Sequence, residues 1–361
     1  RVRVLLMLDA GFVRHEQPLL ERLAFGLADE GVATQVACPR GPGTELSISL
    51  LRDPLRYQHR ALPFARRIEA RRLLALLADE ARGDRSVDII HAFGGSCWRL
   101  AADLAGEAHA GLALEVWRPG LAHRVRTLPR DASIPVLCTS PDPSVERELL
   151  RDRGHPPVRL VPWGARVRTD SPVPFSPGRA PAIMLVGGGR DTSTFRAAFE
   201  GVAGALAHAP SAACFVDASG ARRAGIWSLA EGRGLLDRVT IVDRLETRRD
   251  LVLRADVLVI PDARGEQRSI ILDAMGAARA VVAAADAGNA ALIDGRTALT
   301  LRDLDAPAWA AALTGLLDDP ERARDLGRSA SAWIAEHRRL TQSIATLIDA
   351  YESLVQVQAG S

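Results

Sequence analysis

The stretch "ADVLVIPDARGEQRSIILDAMGAARAVVAAA", residues 255–285, holds one repeat of the chain's architecture. A short apolar run ends at Pro261, a polar loop follows, a helical pattern opens near Ser269, and a second apolar run begins at 280. Strands apolar on both faces belong in a sheet covered on both sides, and two such strands joined by a helix are parallel. Two carboxylates, Glu266 and Asp273, lie seven residues apart, one in the loop and one on the helix it opens into. In open parallel sheets ligands bind beyond the carboxyl ends of the strands, where such loops and helix starts converge.

The same alternation runs outward in both directions. Upstream lie "AIMLVG", "AACFVDA" and "RVTIVDR" with helices between them, and three helical segments finish the chain. The first half starts with "VRVLLMLDAG" (2–11), a helix near 17–30 and the strand "VATQVACP". It continues with a helix around 66–82, the runs "VDIIHAF", "LALEVW" and "IPVLCTS", a helix at about 142–153, and "VRLVPWG". Between the halves, "ARVRTDSPVPFSPGRAP" (165–181) is dense in Pro and Ser and reads as a linker. The expected class is α/β, with two doubly wound Rossmann-like domains, 1–165 and 166–339, facing each other across a cleft. The C-terminal helix, 340–358, is expected to pack back on the first domain.

A length of 361 residues suits two cores. The net charge of +2 gives no field that suggests a nucleic-acid partner. All 46 basic residues are arginine, so any side-chain cation that meets a phosphate must be a guanidinium. Cys38, Cys97, Cys138 and Cys214 are isolated in or beside apolar runs, which indicates neither zinc nor disulfides and favours a reducing, cytoplasmic setting. No signal-peptide pattern opens the sequence, and no apolar run approaches the ~18 residues of a membrane span. The basic, apolar segment "RRIEARRLLALLADEARGDR" (66–85) suits either peripheral contact with anionic lipid or an ordinary packed helix.

After the linker, "LVGGGRDTSTFR" (185–196) joins a strand to a helix. Gly187, Gly188 and Gly189 allow close backbone approach to a ligand, and the following helix offers N–H groups and a positive dipole end to an anion. Arg190 stands at the mouth of this loop and Arg196 within the helix. A bare strand-to-helix turn is the other reading, since the loop is neither a P-loop nor a dinucleotide fingerprint. At the second helix Ser269 is the expected N-cap, with the N–H groups of Ser269, Ile270 and Ile271 directed at phosphate or sugar oxygens. Asp273 would take ribose hydroxyls, and Glu266 would reach a sugar. Alternatively, Glu266 is a solvated loop residue and Asp273 complements the helix dipole.

The order of segments resembles the GT-B-fold retaining glycosyltransferases, the group of sucrose and glycogen synthases and bacterial mannosyltransferases. The resemblance is fullest from "LVGGGR" through "GLLDRVTIVDRLETRRDLVLRADVLVIPDARGEQRSIILDAMGAARAVVAAADAGNAALIDG" to "LTGLLDDPERARDLGRSA" and "IDAYESL". In the first half it rests on "GFVRHEQPLLERLAFGLADEGVATQVACP", "DIIHAFGG" and "RLVPWGARV". The family pattern Glu, seven residues, Glu-Ala-Met places Asp273 at the ribose-holding second acid and Gly265 at the first, with Glu266 one residue displaced. The family's Arg and Lys for the donor diphosphate correspond to Arg190, assisted by Arg196, with no lysine in the chain. Gly11 matches the glycine of the family's opening loop near the donor. His15 and Glu16 would border an acceptor there, and Trp117 and Arg118 stand where the family often has a His. His91 lies in a strand and is either buried or a ligand contact.

The resemblance implies transfer of a sugar from a nucleoside diphosphate donor to an unidentified acceptor hydroxyl, with retention, and with no metal or other cofactor. Glu266 and Arg190 would carry the chemistry; Gly11, Gly188, Gly189, Arg190, Arg196, Ser269, Ile270, Ile271 and Asp273 would bind the donor. The displaced acid and the absent lysine leave a second reading, a GT-B-fold binding or partner module without turnover. A dinucleotide oxidoreductase lacks its fingerprint in both halves.

Overall fold

A computed structural model of the chain describes residues 2–41, 44–46, 53–81, 87–128, 133–151, 154–243, 245–262 and 265–359. The chain divides into two compact units, Arg1–Gly164 with Leu340–Ser361, and Ala165–Arg339.

The first unit holds strands β1 (Arg3–Leu8), β2 (Ala33–Pro39), β3 (Leu55–Tyr57), β4 (Ile89–Phe93), β5 (Gly111–Glu115), β6 (Val136–Ser140) and β7 (Val158–Leu160). They form one parallel sheet in the order 3-2-1-4-5-6-7. The second unit holds β8 (Ala182–Leu185), β9 (Ala213–Asp217), β10 (Val239–Val242), β11 (Val257–Ile260), β12 (Ala280–Ala284) and β13 (Leu299–Leu301). Their order is 10-9-8-11-12-13, again all parallel. Both sheets are therefore doubly wound, and strand order reverses between β1 and β4 in one and between β8 and β11 in the other. The central strands β4, β5, β11 and β12 are buried along their whole length, as continuous apolar runs require.

The helix Leu340–Ala359 completes the first unit. Its Ile344 lies over Gly26, where a β-carbon would approach within 2.4 Å. Tyr351 closes a buried polar network: its hydroxyl meets His91 Nδ1 at 2.8 Å, and His91 Nε2 meets Thr139 Oγ1 at 3.1 Å. Thr139 donates to Glu115 Oε2, and Trp163 Nε1 donates to Glu115 Oε1 at 2.7 Å. His91 is 1 % exposed with both ring nitrogens engaged, so it belongs to this core network and has no face for a ligand.

The first helix corrects the expected opening loop. It runs Ala10–Asp29, beginning where the carboxylate of Asp9 accepts from Phe12 N at 2.8 Å. Gly11, His15 and Glu16 are therefore helical residues, and Glu16 is 1 % exposed. The apparent loop is a kink: Glu16 has φ −121° and ψ 22°, two residues before Pro18, which has no N–H to give and whose ring crowds the preceding turn.

Residues 165–181 are likewise more than a linker. Lacking regular structure, they have several backbone groups satisfied by side chains of the second unit. Arg279 donates to Pro172 O at 2.7 Å, Arg324 to Phe175 O at 2.8 Å, and Asp256 accepts from Phe175 N at 2.5 Å. Burial pushes the Arg279 guanidinium down to about 10, with Asp256 opposing. Among the described residues no helix is long and apolar enough to cross a membrane.

The helix Ser269–Gly276 is held by its last residue, where Arg168 N donates to Gly276 O at 2.8 Å. A β-carbon on Gly276 would lie 2.3 Å from the Arg166 carbonyl oxygen, a backbone atom that cannot rotate away. Gly276→Ala is expected to destabilise the second unit by about 1–3 kcal/mol, the usual cost of overpacking. Chemical denaturation checks this; an unchanged midpoint would mean that the two segments are not in contact.

Candidate functional site

The loops after β8 and β11 meet at the point where the second sheet reverses its strand order. Gly188 and Arg190 from the first loop, and Asp262, Glu266, Arg268 and Ile270 from the second, line a single cavity of about 30 Å³. That volume is an order of magnitude below the ~300 Å³ at which small-molecule sites begin, so these groups form a polar floor at the sheet edge. Glu266 lies between two guanidiniums, 3.4 Å from Arg190 NH1 and 3.7 Å from Arg268 NH1. The Arg190 side chain is 52 % exposed, and an exposed pair at this distance is worth about 0–1 kcal/mol. The pair therefore holds Arg190 only weakly.

The glycines divide by role. A β-carbon on Gly187 would lie 2.4 Å from the Asp262 carboxylate. Gly189 has φ +61°, and a β-carbon there would lie 2.9 Å from the Gly220 backbone. Both are demanded by packing. A β-carbon on Gly188 would meet nothing closer than 3.7 Å, its nearest neighbours being the side chains of Arg223 and Arg190. Arg223, on the helix Ala218–Ala224, donates to Gly188 O at 2.7 Å.

Two helix starts differ from expectation. The helix Thr192–His208 begins after Asp191, whose carboxylate accepts from Thr194 N at 3.1 Å and from Ser193 Oγ at 2.6 Å. Its first turn thus carries its own anion. In the helix Ser269–Gly276 the cap position is Arg268, with no side-chain cap bond, and Ser269 is the first helical residue, 1 % exposed. Ile271 N donates to Arg268 O at 3.2 Å, which withdraws one of the three amides expected at a ligand. Ile270 remains at the cavity. Asp273 is half-buried one turn on, and neither it nor Arg196, exposed on the helix Thr192–His208, lines the cavity. Gly11 lies in the first unit, in the first turn of a helix already capped by Asp9.

Gly265, at the position of the family's first acid, has φ +71°. Its N–H is accepted by Asp286, and Gly288 packs against its Cα. A side chain there would be strained, so the acid at 266 is the one this loop can present. Asp262, Arg268 and Arg223 were not singled out by the sequence. Asp262 could have been found from its place two residues past a switch-point strand; the two arginines carry no motif. Among the described residues no group of three or more His, Cys, Asp and Glu is placed to hold a metal ion.

Asp262 accepts from Arg190 N at 3.2 Å, yet burial dominates and pushes its carboxyl up to about 6. The Arg190 amide, Arg268 and Arg190 oppose that rise, while Glu266 adds to it. Between about pH 4, where an unfolded aspartate ionises, and about 6, where the native group does, the unfolded state holds fewer protons. This group's contribution to stability is therefore full below that window and is lost as pH rises through it. Asp262→Asn is expected to gain stability on wild type across the window, measured by urea midpoints; parallel curves would contradict the burial of the carboxyl.

Residues 189–319, all in the second unit, match the family model described as glycosyl transferases group 1. No curated protein matches the chain in sequence. The structure is similar to that of sucrose-phosphate synthase from Thermosynechococcus elongatus, at 19 % identity and a TM-score of 0.74, covering 100 % of both chains. It is also similar to Anabaena HepE in complex with UDP and glucose, at 12 % identity and a TM-score of 0.71, over 98 % of this chain and 100 % of that one. A putative UDP-N-acetylglucosamine 2-epimerase from Listeria monocytogenes has a TM-score of 0.67 at 12 % identity, over 98 % and 96 % of the two chains. The chain thus has the two-unit GT-B fold, and its second unit carries the glycosyl transferases group 1 signature.

Proposed function

We propose that the protein transfers a glycosyl group from a nucleoside diphosphate sugar to a hydroxyl of an acceptor. The observation that carries this reading is the coincidence, within residues 189–319, of the family match with the Arg190, Glu266 and Arg268 cluster at the switch point. HepE, of the same fold, has been crystallised with UDP-glucose.

In this reading Arg190 leaves Glu266 for the donor diphosphate, with Arg268 and the Gly188 backbone beside it. The bond between the anomeric carbon and the diphosphate oxygen breaks, and the acceptor oxygen bonds to that carbon on the same face. The acceptor proton passes to the departing phosphate. Guanidiniums placed where negative charge accumulates stabilise that departure electrostatically and supply the charge a divalent metal otherwise would. Glu266, released from Arg190, takes donor-sugar hydroxyls, and Asp273 the ribose. The two helix starts contribute unequally: Ile270 keeps its place at the site, whereas Asp191 competes with any anion at the helix Thr192–His208. All four cysteines are free and buried, which supports a reducing, cytoplasmic setting.

A second reading, nucleotide binding without turnover, is favoured by one feature: the position of the family's first acid is Gly265, at φ +71°, and the acid stands one residue on at Glu266. Release of nucleoside diphosphate by purified protein from its sugar, across a panel of donors, supports transfer; binding with no release across donors and acceptors supports the module.

Arg190→Ala is expected to weaken nucleoside diphosphate binding about tenfold or more and to leave nucleoside binding unchanged, since a charge-assisted bond is worth roughly 1.5–3 kcal/mol. Calorimetry with both ligands checks it, and equal losses would remove Arg190 from the diphosphate. Asp273→Asn is expected to weaken ribonucleotides more than 2′,3′-dideoxy analogues. A uniform loss in the same titration would make Asp273 structural.

A further inference from the structure

The first unit contains a cavity of about 490 Å³, within the size range of small-molecule sites. It lies past the carboxyl ends of β3 and β4, and β4 borders the reversal of strand order in the first sheet. His59 and Arg60 precede the helix Pro63–Ala81, and Arg66 lies in its first turns. Ser96 and Arg99 flank the start of the helix Trp98–Ala108, and Arg124 comes from the helix Ala122–Arg126.

No Asp or Glu lines this space among the described residues. Arg66 is neutralised by Asp103 at 2.5 Å, and the Asp9 carboxylate takes Ser96 Oγ at 3.1 Å and Ser96 N at 3.4 Å. Arg60, Arg99 and Arg124 have no carboxylate partner among the described residues. Arg60 bonds only the neutral Gln58, and Arg99 and Arg124 are exposed on their helices. Guanidiniums of one sign around one space repel each other, and a multivalent oxyanion relieves that repulsion while accepting several charge-assisted bonds. The start of the helix Trp98–Ala108 brings its own N–H groups, offset in part by the Asp9 carboxylate at Ser96. Cys97 gives its amides no side-chain acceptor, because its thiol is turned to the carbonyls of Met7, Phe93 and Gly94.

We infer that this cavity binds a phosphate group, and that the acceptor of the transfer is a hydroxyl compound that carries one. The acceptor role rests on the transfer reading; the binding of phosphate does not. Three unpaired guanidiniums suit a phosphate, with three terminal oxygens, better than a carboxylate. The phosphate comes either from a soluble sugar phosphate or from a lipid headgroup. The second source is raised by Leu62, Phe64 and Ile68, which are 70 %, 76 % and 52 % exposed in the segment that also supplies Arg60 and Arg66.

The test is calorimetric titration of the full chain with glucose 6-phosphate, glucose and UDP, together with sedimentation on phosphatidylcholine vesicles with and without phosphatidylglycerol. The variants are Arg99→Gln with Arg124→Gln, both at exposed positions, and Leu62→Ser with Phe64→Ser. Wild type is expected to bind the sugar phosphate at least tenfold more tightly than glucose, or to sediment only with the anionic vesicles. The double arginine variant is expected to lose that binding about tenfold or more and to keep UDP binding. Loss of vesicle binding in the Leu62, Phe64 variant, with sugar phosphate binding retained, assigns the lipid source. Binding of neither phosphate probe, or equal binding by wild type and the arginine variant, overturns the inference. Phosphate binding by a wild type that ignores UDP upholds the cavity and removes the transfer reading instead.

Discussion

Parallel strands cannot be joined by hairpins, and everything functional in this chain follows from that constraint. Each crossover must return along the face of the sheet through a helix, so every loop that leaves a strand emerges on the same edge. Where strand order reverses, neighbouring loops part to opposite faces and leave a gap. Arg190 and Glu266 are 76 residues apart in the sequence and meet because β8 and β11 are neighbours at that reversal. The first unit repeats the arrangement with β1 and β4, where Asp9 and Ser96 meet.

At the second reversal the electrostatics are balanced loosely. Two carboxylates and two guanidiniums occupy a small floor: Glu266 stands 3.4 and 3.7 Å from the two guanidiniums, while Asp262 is held by the Arg190 backbone amide at 3.2 Å. One carboxyl, Asp262, is pushed up to about 6 by burial, so below that pH the two cations face a single anion. The glycines serve mostly to let backbone meet backbone, and only Gly188 opens toward the arginines.

The parallel architecture was legible because strands buried on both faces leave unbroken apolar runs. β11 and β12 flank the decisive loop in that form. The short edge strands β3 and β13 carry too little pattern in three residues, whereas β7, equally short, is marked by the apolar run "VRLVPWG" that extends past it. The first helix was placed late because its opening turns hold Arg14, His15, Glu16 and Gln17. These polar residues suggest a loop, whereas the burial of Glu16 and the cap by Asp9 are properties of the folded chain. In the site, Arg190 and Glu266 could be picked out because they stand in loops that leave strands. Arg223 reaches the same loop from a helix one crossover away, which no local pattern encodes. The placing of Ser269 as cap erred by one residue, because Arg268 is already extended and its carbonyl takes the Ile271 amide.

Tyr351 and His91, which close the polar network of the first unit, are 260 residues apart in sequence. A ribosome therefore delivers the final donor of that network only after the entire second unit has been made. Until then the His91, Thr139 and Glu115 side chains sit in an unfinished interior, where partly satisfied polar groups are costly. The second unit can close on itself as soon as it emerges, but the first must wait for its own last helix. A cut between Gly164 and Ala165 would leave the second unit all of residues 165–181 and would part the first unit from the helix that closes its polar network.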